Sequence, residues 1–286
     1  MTGMSVVVAN RLHDPAEAGD ALSSLRRELD PSDELIWVDR AGLDTAALAV
    51  AVVAVPAPPT ASRAHCYGLG LARARSALVA FTDSSTVAGV GWRAAAQGAL
   101  EAGASVVGGP VLGDARSSAR DGAGFLVDYG PHAVPPYTSA TGDVSGNNVA
   151  YRRDVLPAAG APVSKSEVNA RLAATGVRTV IVPEMRVTVR RAYSWRDLGP
   201  LRARSGAQYA RWRSAGWPLG YRLPAAVACA ALPAISLCRL WRTVRTDRNL
   251  RDWFVRGLPW VVLALTAWSA GEAAGYLRTI GDDGVW

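Results

Sequence analysis

Three polar side chains stand at the ends of short apolar runs in the first third of the chain. Asn10 follows Val6-Val7-Val8-Ala9, Asp39 follows Leu35-Ile36-Trp37-Val38, and Asp83 follows Val79-Ala80-Phe81-Thr82. A β-branched run that stops on a carboxylate or amide reads as a buried strand reaching a loop. In open α/β sheets ligands bind at the carboxyl ends of the strands, so the three groups point to one polar ligand site. Cysteine and histidine chemistry is not indicated. Cys66, Cys229 and Cys238 form no CxxC pair, and His65 has no second histidine near it, so neither a zinc site nor a redox motif is expected.

The elements that must position these residues alternate. Strands are expected at 5–10, 34–39, 50–55, 78–83 and 104–108, and helices at 14–29, 61–76 and 87–102. Strands alternating with helices predict βαβ units and a mostly parallel sheet flanked by helices. At Pro110 the composition changes. Residues 110–141 are rich in Gly, Pro, Ser and Asp, with one strand expected at 125–129, and read as a long excursion over the sheet face. Order returns at 145–156, followed by a helix at 168–176, a strand at 179–183 and an arginine-rich amphipathic helix at 194–212.

The chain has 286 residues, a formal net charge of +7 and a single lysine, Lys165. No basic stripe interleaved with aromatics occurs in the first 180 residues, which argues against nucleic acid. The arginines cluster after residue 190, as do eight of the ten tryptophans, beside apolar runs at 223–238 and 258–270. That placement fits anionic headgroups or a lipid-phosphate substrate. Both runs are short for a span of about twenty residues. A re-entrant or interfacial hairpin with its arginines at the cytoplasmic headgroups is the expected arrangement, and spanning stays open. The N-terminus has no signal-peptide pattern, so the first domain is expected on the cytoplasmic side.

The order of motifs resembles family-2 glycosyltransferases with a GT-A fold. The likeness covers residues 4–213 and rests on Val6-Val7-Val8-Ala9-Asn10, Trp37-Val38-Asp39-Arg40, Phe81-Thr82-Asp83-Ser84-Ser85 with Trp92 downstream, and Gly146-Asn147-Asn148-Val149-Ala150-Tyr151-Arg152-Arg153. Weaker matches are Cys66-Tyr67-Gly68-Leu69-Gly70, where the family has Ala-Arg-Asn-x-Gly, and Ser164-Lys165-Ser166-Glu167-Val168, where it has a Glu-Asp helix. The resemblance implies a GT-A domain at 1–213, a membrane-associated helical tail at 214–286, and transfer of a sugar from a nucleotide-sugar to a lipid-linked or cell-envelope glycan acceptor.

It also implies roles. Asn10, Asp39, Arg63, Asp83, Ser85, Asn147 and Asn148 would face the donor. Asp83 would hold a divalent Mg²⁺ or Mn²⁺, since hard oxygen ligands suit these ions. Ser85 replaces the second acid of the family's Asp-x-Asp, and a hydroxyl is a poor substitute for a carboxylate there. Arg40 replaces the second acid of Val-Asp-Asp and could meet a phosphate. Arg63 could supply the positive charge lost where Tyr67 replaces arginine. Asn147 and Asn148 could hydrogen-bond a sugar or hold their loop by Asx-turns. The family's general base aligns with Lys165, and a lysine is a base only if burial strongly lowers its pKa. Glu167 is then the carboxylate expected to take the acceptor proton. The replaced acids leave a second class open: a non-catalytic glycosyltransferase-like partner or scaffold at a membrane.

Overall fold

A computed structural model describes residues 3–10, 15–42, 51–134, 144–177 and 179–278. The described chain divides into two compact units, one of residues 3–114 and 144–190, the other of 115–134 and 191–278.

In the first unit, β1 (Met4–Asn10), β2 (Glu34–Asp39), β3 (Val53–Pro56) and β4 (Leu78–Asp83) run parallel, with α1 (Pro15–Glu28) and α2 (Arg63–Arg73) between them. Every residue of β1 and β4 is buried, as their unbroken apolar runs require of central strands covered on both faces. Beyond β4 come β5 (Thr86–Ala88), α3 (Trp92–Glu101), β6 (Val106–Gly108), β7 (Val111–Gly113), β8 (Val149–Arg152), α5 (Lys165–Ala174), β9 (Thr179–Ile181) and β10 (Val187–Val189); α4 (Ala119–Tyr129) lies in the second unit. The main sheet has the order β3-β2-β1-β4-β8-β6-β9, mixed but mostly parallel, with β8 antiparallel to both its neighbours. A small sheet, β5-β10-β7, stands apart from it. The apolar core joins Val7, Ile36, Val38, Val79 and Phe81 of the sheet to Cys66, Tyr67 and Leu71 of α2. Phe81 packs edge-on against Tyr67 at 5.1 Å and Tyr151 at 5.9 Å.

Two expectations are corrected. The helix predicted from 87 begins at Trp92, because Thr86–Ala88 pairs with β10 and Gly91 takes φ +81° as the cap. The strand predicted at 125–129 is the end of a helix, α4 (Ala119–Tyr129). Its N-cap Ser118 accepts from Asp121 N, and Ala123, Leu126 and Tyr129 are buried at helical spacing. Residues 135–143 of the expected excursion lie outside the described residues.

The second unit is helical: α4, then α6 (Trp195–Leu198), α7 (Pro200–Arg213), α8 (Leu219–Ala228), α9 (Leu232–Val244), α10 (Arg248–Arg256) and α11 (Leu258–Leu277). The helix expected at 194–212 is broken at Gly199-Pro200. Gly271 and Gly275 of α11 lie against the backbone of Ala203 and Ala207 on α7, so the two helices pack with no side chain between them. A polar knot ties α4 to the chain ahead of α7. Tyr193 Oη donates to Asp128 Oδ2 at 2.7 Å, and Arg202 donates to Asp128 Oδ1 at 2.5 Å. Arg191 lies 3.7 Å from Asp128 and donates to Asp197 at 2.6 Å. Burial pushes the Asp128 carboxyl up, and the two arginines with the tyrosine hydroxyl outweigh it, holding it below the usual carboxylate range.

From Leu219 to Val244 the chain forms a helical run of 26 residues, which contains an 18-residue stretch of mean hydropathy 1.7 with 17% of it buried. Among the described residues it is the one helix long and apolar enough to cross a membrane. Helices α10 and α11 meet the same test only as a pair, bent by 76°. Leu219, Tyr221, Leu223 and Val227 stand exposed on the run.

Candidate functional site

Register brings the strand-end residues together. Asn10 is paired with Asp39 across β1 and β2, and Ala9 with Asp83 across β1 and β4. Asn10 Nδ2 donates to Asp39 Oδ1 at 2.7 Å, and the same oxygen accepts from Ala41 N at 2.8 Å. Asp39 remains partly exposed at the carboxyl end of β2. Arg40 turns away and donates to the Ala61 carbonyl at 2.5 Å.

Asp83 begins a buried polar chain. Its Oδ1 accepts from Ser85 N at 3.1 Å, Ser85 Oγ at 2.7 Å and Thr86 Oγ1 at 2.9 Å. Thr86 Oγ1 accepts from Asn147 Nδ2 at 3.3 Å, and Asn147 Oδ1 accepts from Ser145 Oγ at 2.6 Å. The loop of Asn147 is thereby fixed to the end of β4. Asn148 belongs to the framework. Its Oδ1 accepts from Trp92 Nε1 at 2.8 Å, and its amide donates to the Pro110 and Met185 carbonyls at 3.1 and 2.6 Å, using both N–H groups.

The residue that sequence reasoning left out of the site is Lys165. It opens α5, whose N-cap is Ser164, and is only 8% exposed. Its Nζ sits 4.1 Å from the centroid of the Tyr67 ring, and no hydrogen-bond partner reaches it among the described residues. Tyr67 is held in turn by donating to the Thr82 carbonyl at 3.1 Å. Gly146 closes another side, where an added Cβ would stand 3.0 Å from Lys165 Cε and 3.3 Å from Nζ. Burial pushes the Lys165 ammonium well below the usual lysine range; Arg63 adds to that, and Asp83 opposes it. Gly68 makes this placement possible. A side chain there would meet the Ala161 carbonyl, and Val163 N donates to the Ala64 carbonyl at 2.8 Å, so the chain entering α5 lies directly on α2. The asparagine that stands here in the resembled family has no room in this packing. The signal was present in the sequence: a lone lysine at the aligned base position, opposite a tyrosine in place of arginine. Glu167, one turn into α5, is exposed, and its backbone N–H donates to the Ser164 cap at 3.4 Å.

These donors do not make a divalent-cation site. Asp83 directs Oδ1 to three internal hydrogen bonds, Ser85 brings a hydroxyl that donates to that same carboxylate, and a buried lysine lies within electrostatic range. Among the described residues no group of three His, Cys, Asp or Glu side chains could hold a metal. Among the described residues, the position of the second acid that would complete a metal on Asp83 is the Ser85 hydroxyl.

No family model matches the chain, and no curated protein sequence matches it. Solved structures do. A mannosyltransferase from Pyrobaculum calidifontis, in complex with GDP-Man and Mn²⁺, aligns over 93% of this chain and 86% of its own at 16% identity and a TM-score of 0.52. A mycobacterial protein aligns over 73% of this chain and 74% of its own, at 18% identity and a TM-score of 0.53. Glucosyl-3-phosphoglycerate synthase from Mycobacterium tuberculosis, in complex with Mg²⁺ and UDP, aligns over 69% and 74% at 19% identity and a TM-score of 0.49. Identities this low speak to fold alone, and the two matches above a TM-score of 0.5 support a mixed α/β architecture, in the first case that of a mannosyltransferase.

Proposed function

We propose that the chain is a membrane-associated glycosyltransferase that moves a sugar from a nucleotide-sugar to a lipid-linked or cell-envelope glycan acceptor. The observation that carries this reading is the gathering of Asn10, Asp39 and Asp83 at the carboxyl ends of three adjacent strands, within the fold of a mannosyltransferase solved with its nucleotide-sugar. Asp39, fixed by Asn10, accepts hydrogen bonds from the nucleoside. Asp83, Ser85 and Asn147 line the sugar and diphosphate, and Arg63 lends positive charge. In the reaction an acceptor oxygen bonds to the anomeric carbon, and the bond from that carbon to the diphosphate oxygen breaks. The diphosphate leaves with the electron pair, and the acceptor proton passes to Glu167.

The test is transfer of radiolabelled sugar from UDP- and GDP-sugars to lipid extracted from the source membrane. Glu167→Gln is expected to lower kcat about 10²-fold, the contribution of a general base, while nucleotide affinity stays unchanged. Equal loss of nucleotide affinity would assign Glu167 to the donor instead. The serine at position 85 favours a second reading, a non-catalytic partner that binds nucleotide and transfers nothing; saturable UDP or GDP binding with no turnover would establish it.

Attachment is assigned to the 26-residue run and to the exposed arginines of α10, Arg248, Arg251 and Arg256, which would meet anionic headgroups. The full chain should float with phosphatidylglycerol vesicles more completely than with phosphatidylcholine vesicles. Failure to float with either would remove the membrane from the account.

A further inference from the structure

We propose that the Lys165 ammonium, and not a divalent cation, neutralises the donor's diphosphate, which makes donor binding independent of metal. The inference rests on the transferase reading above and concerns the same site. Three observations meet at one place. The second acid that would complete a cation site is Ser85, whose hydroxyl donates to Asp83. A lysine more than nine-tenths buried lies in the same neighbourhood, its Nζ without a hydrogen-bond partner among the described residues. That nitrogen is held by the Tyr67 ring and the Gly146 backbone and is not left to swing into solvent.

A buried ammonium without a hydrogen-bonding anion is a costly state, and a bound diphosphate oxygen relieves it. The ring beneath Nζ offers a cation its π face and no competing hydrogen bond. Arg63 lies within electrostatic range and would share the same anion. The exchange of roles is consistent across the site. Where the resembled family carries arginine and an acid, this chain carries Tyr67 and Lys165, and the acid that family uses on its metal is absent at Ser85. The positive charge has moved from a bound ion to a side chain. In the departing step Lys165 stays bonded to the diphosphate oxygen that receives the electron pair from the anomeric carbon.

Burial favours the neutral amine in the empty site and an anion favours the ammonium, so at a pH between the free and bound pKa values binding takes up a proton. Between the two pKa values, affinity therefore falls as pH rises.

The experiment is calorimetric titration of the detergent-purified full chain with UDP and GDP, in EDTA and again with Mn²⁺. The proposal expects at least one of these nucleotides to bind with the same affinity in both conditions. It also expects the heat to vary with the ionisation enthalpy of the buffer, reporting proton uptake. Lys165→Met, close in length and uncharged, should weaken that nucleotide about 30-fold and abolish the proton uptake, with the circular dichroism spectrum unchanged. Binding that appears only with Mn²⁺ would overturn the metal-independent site and leave the transferase reading standing. Binding of neither nucleotide in either condition would overturn the transferase reading itself. The metal comparison and the buffer-dependent heat use the unaltered protein, so metal independence and proton uptake are tested even if Lys165→Met fails to fold.

Discussion

Asp83→Asn is expected to lower sugar transfer about 10²-fold, the scale of displacing positioning groups at a reacting site. The substitution keeps the shape of the side chain, and an amide oxygen can still accept from Ser85 and Thr86. It removes the negative charge, and hydrogen bonds to a neutral acceptor are roughly half as strong as those to a charged one. The carboxylate has two duties that an amide performs poorly. It orders the turn that carries Ser85 and Thr86, and through Thr86 the loop of Asn147. It also raises the proton affinity of Lys165, so its loss leaves the lysine less charged when the donor arrives. Steady-state kinetics with a nucleotide-sugar should show a lower kcat together with weaker donor binding. Unchanged kinetics would mean that Asp83 is only the anchor of a turn.

Asp128→Ala is expected to destabilise the helical unit by about 3 kcal/mol, which corresponds to roughly 10 °C in midpoint for a protein of this size. The aspartate accepts from Tyr193 and Arg202 and sits beside Arg191. Removing it leaves two arginines and a phenol without their shared anion in a poorly hydrated place, where an uncompensated charge is the dominant cost. Seven of the chain's ten tryptophans lie in the described part of this unit, so thermal unfolding followed by tryptophan fluorescence reports on it directly. The pH dependence follows from the direction of the shift. A carboxyl held below its unfolded value binds protons less readily in the folded state, so its stabilisation is present above the ordinary aspartate pKa of about 3.9. It is lost as pH falls through the lower, folded value. The wild type should lose midpoint on acidification through that range more steeply than the variant.

Much of the sheet was legible because its signals are local. A run such as Glu34–Asp39 or Leu78–Asp83, apolar until it meets a carboxylate, has few other readings, and both strands have the expected bounds. The placement of Asn10, Asp39 and Asp83 at strand ends was legible for the same reason. Three features were not. Phe125-Leu126-Val127-Asp128-Tyr129 is rich in strand formers, yet it continues a helix. The cue for that helix was upstream, in Ser118 with Asp121 three residues on, and its buried face depends on residues such as Trp253 that lie far along the chain. Lys165 could be placed on a helix but not in a core. Its burial depends on Gly68 admitting the chain near Ala161, a contact between segments some 90 residues apart. The Asp128 knot joins residues 65 and 74 positions apart, a pairing that no local pattern encodes.

The central claim is that a nucleotide-sugar binds at the carboxyl ends of β1, β2 and β4. Hydrogen–deuterium exchange of the full chain, with and without saturating UDP- and GDP-sugars, tests it most directly. The account predicts slowed exchange at Asn10, at 39–41, at 83–86 and at 145–147, and at 63–67 where α2 carries Arg63 and Tyr67. Protection confined to other segments, or none with any nucleotide-sugar, would contradict it.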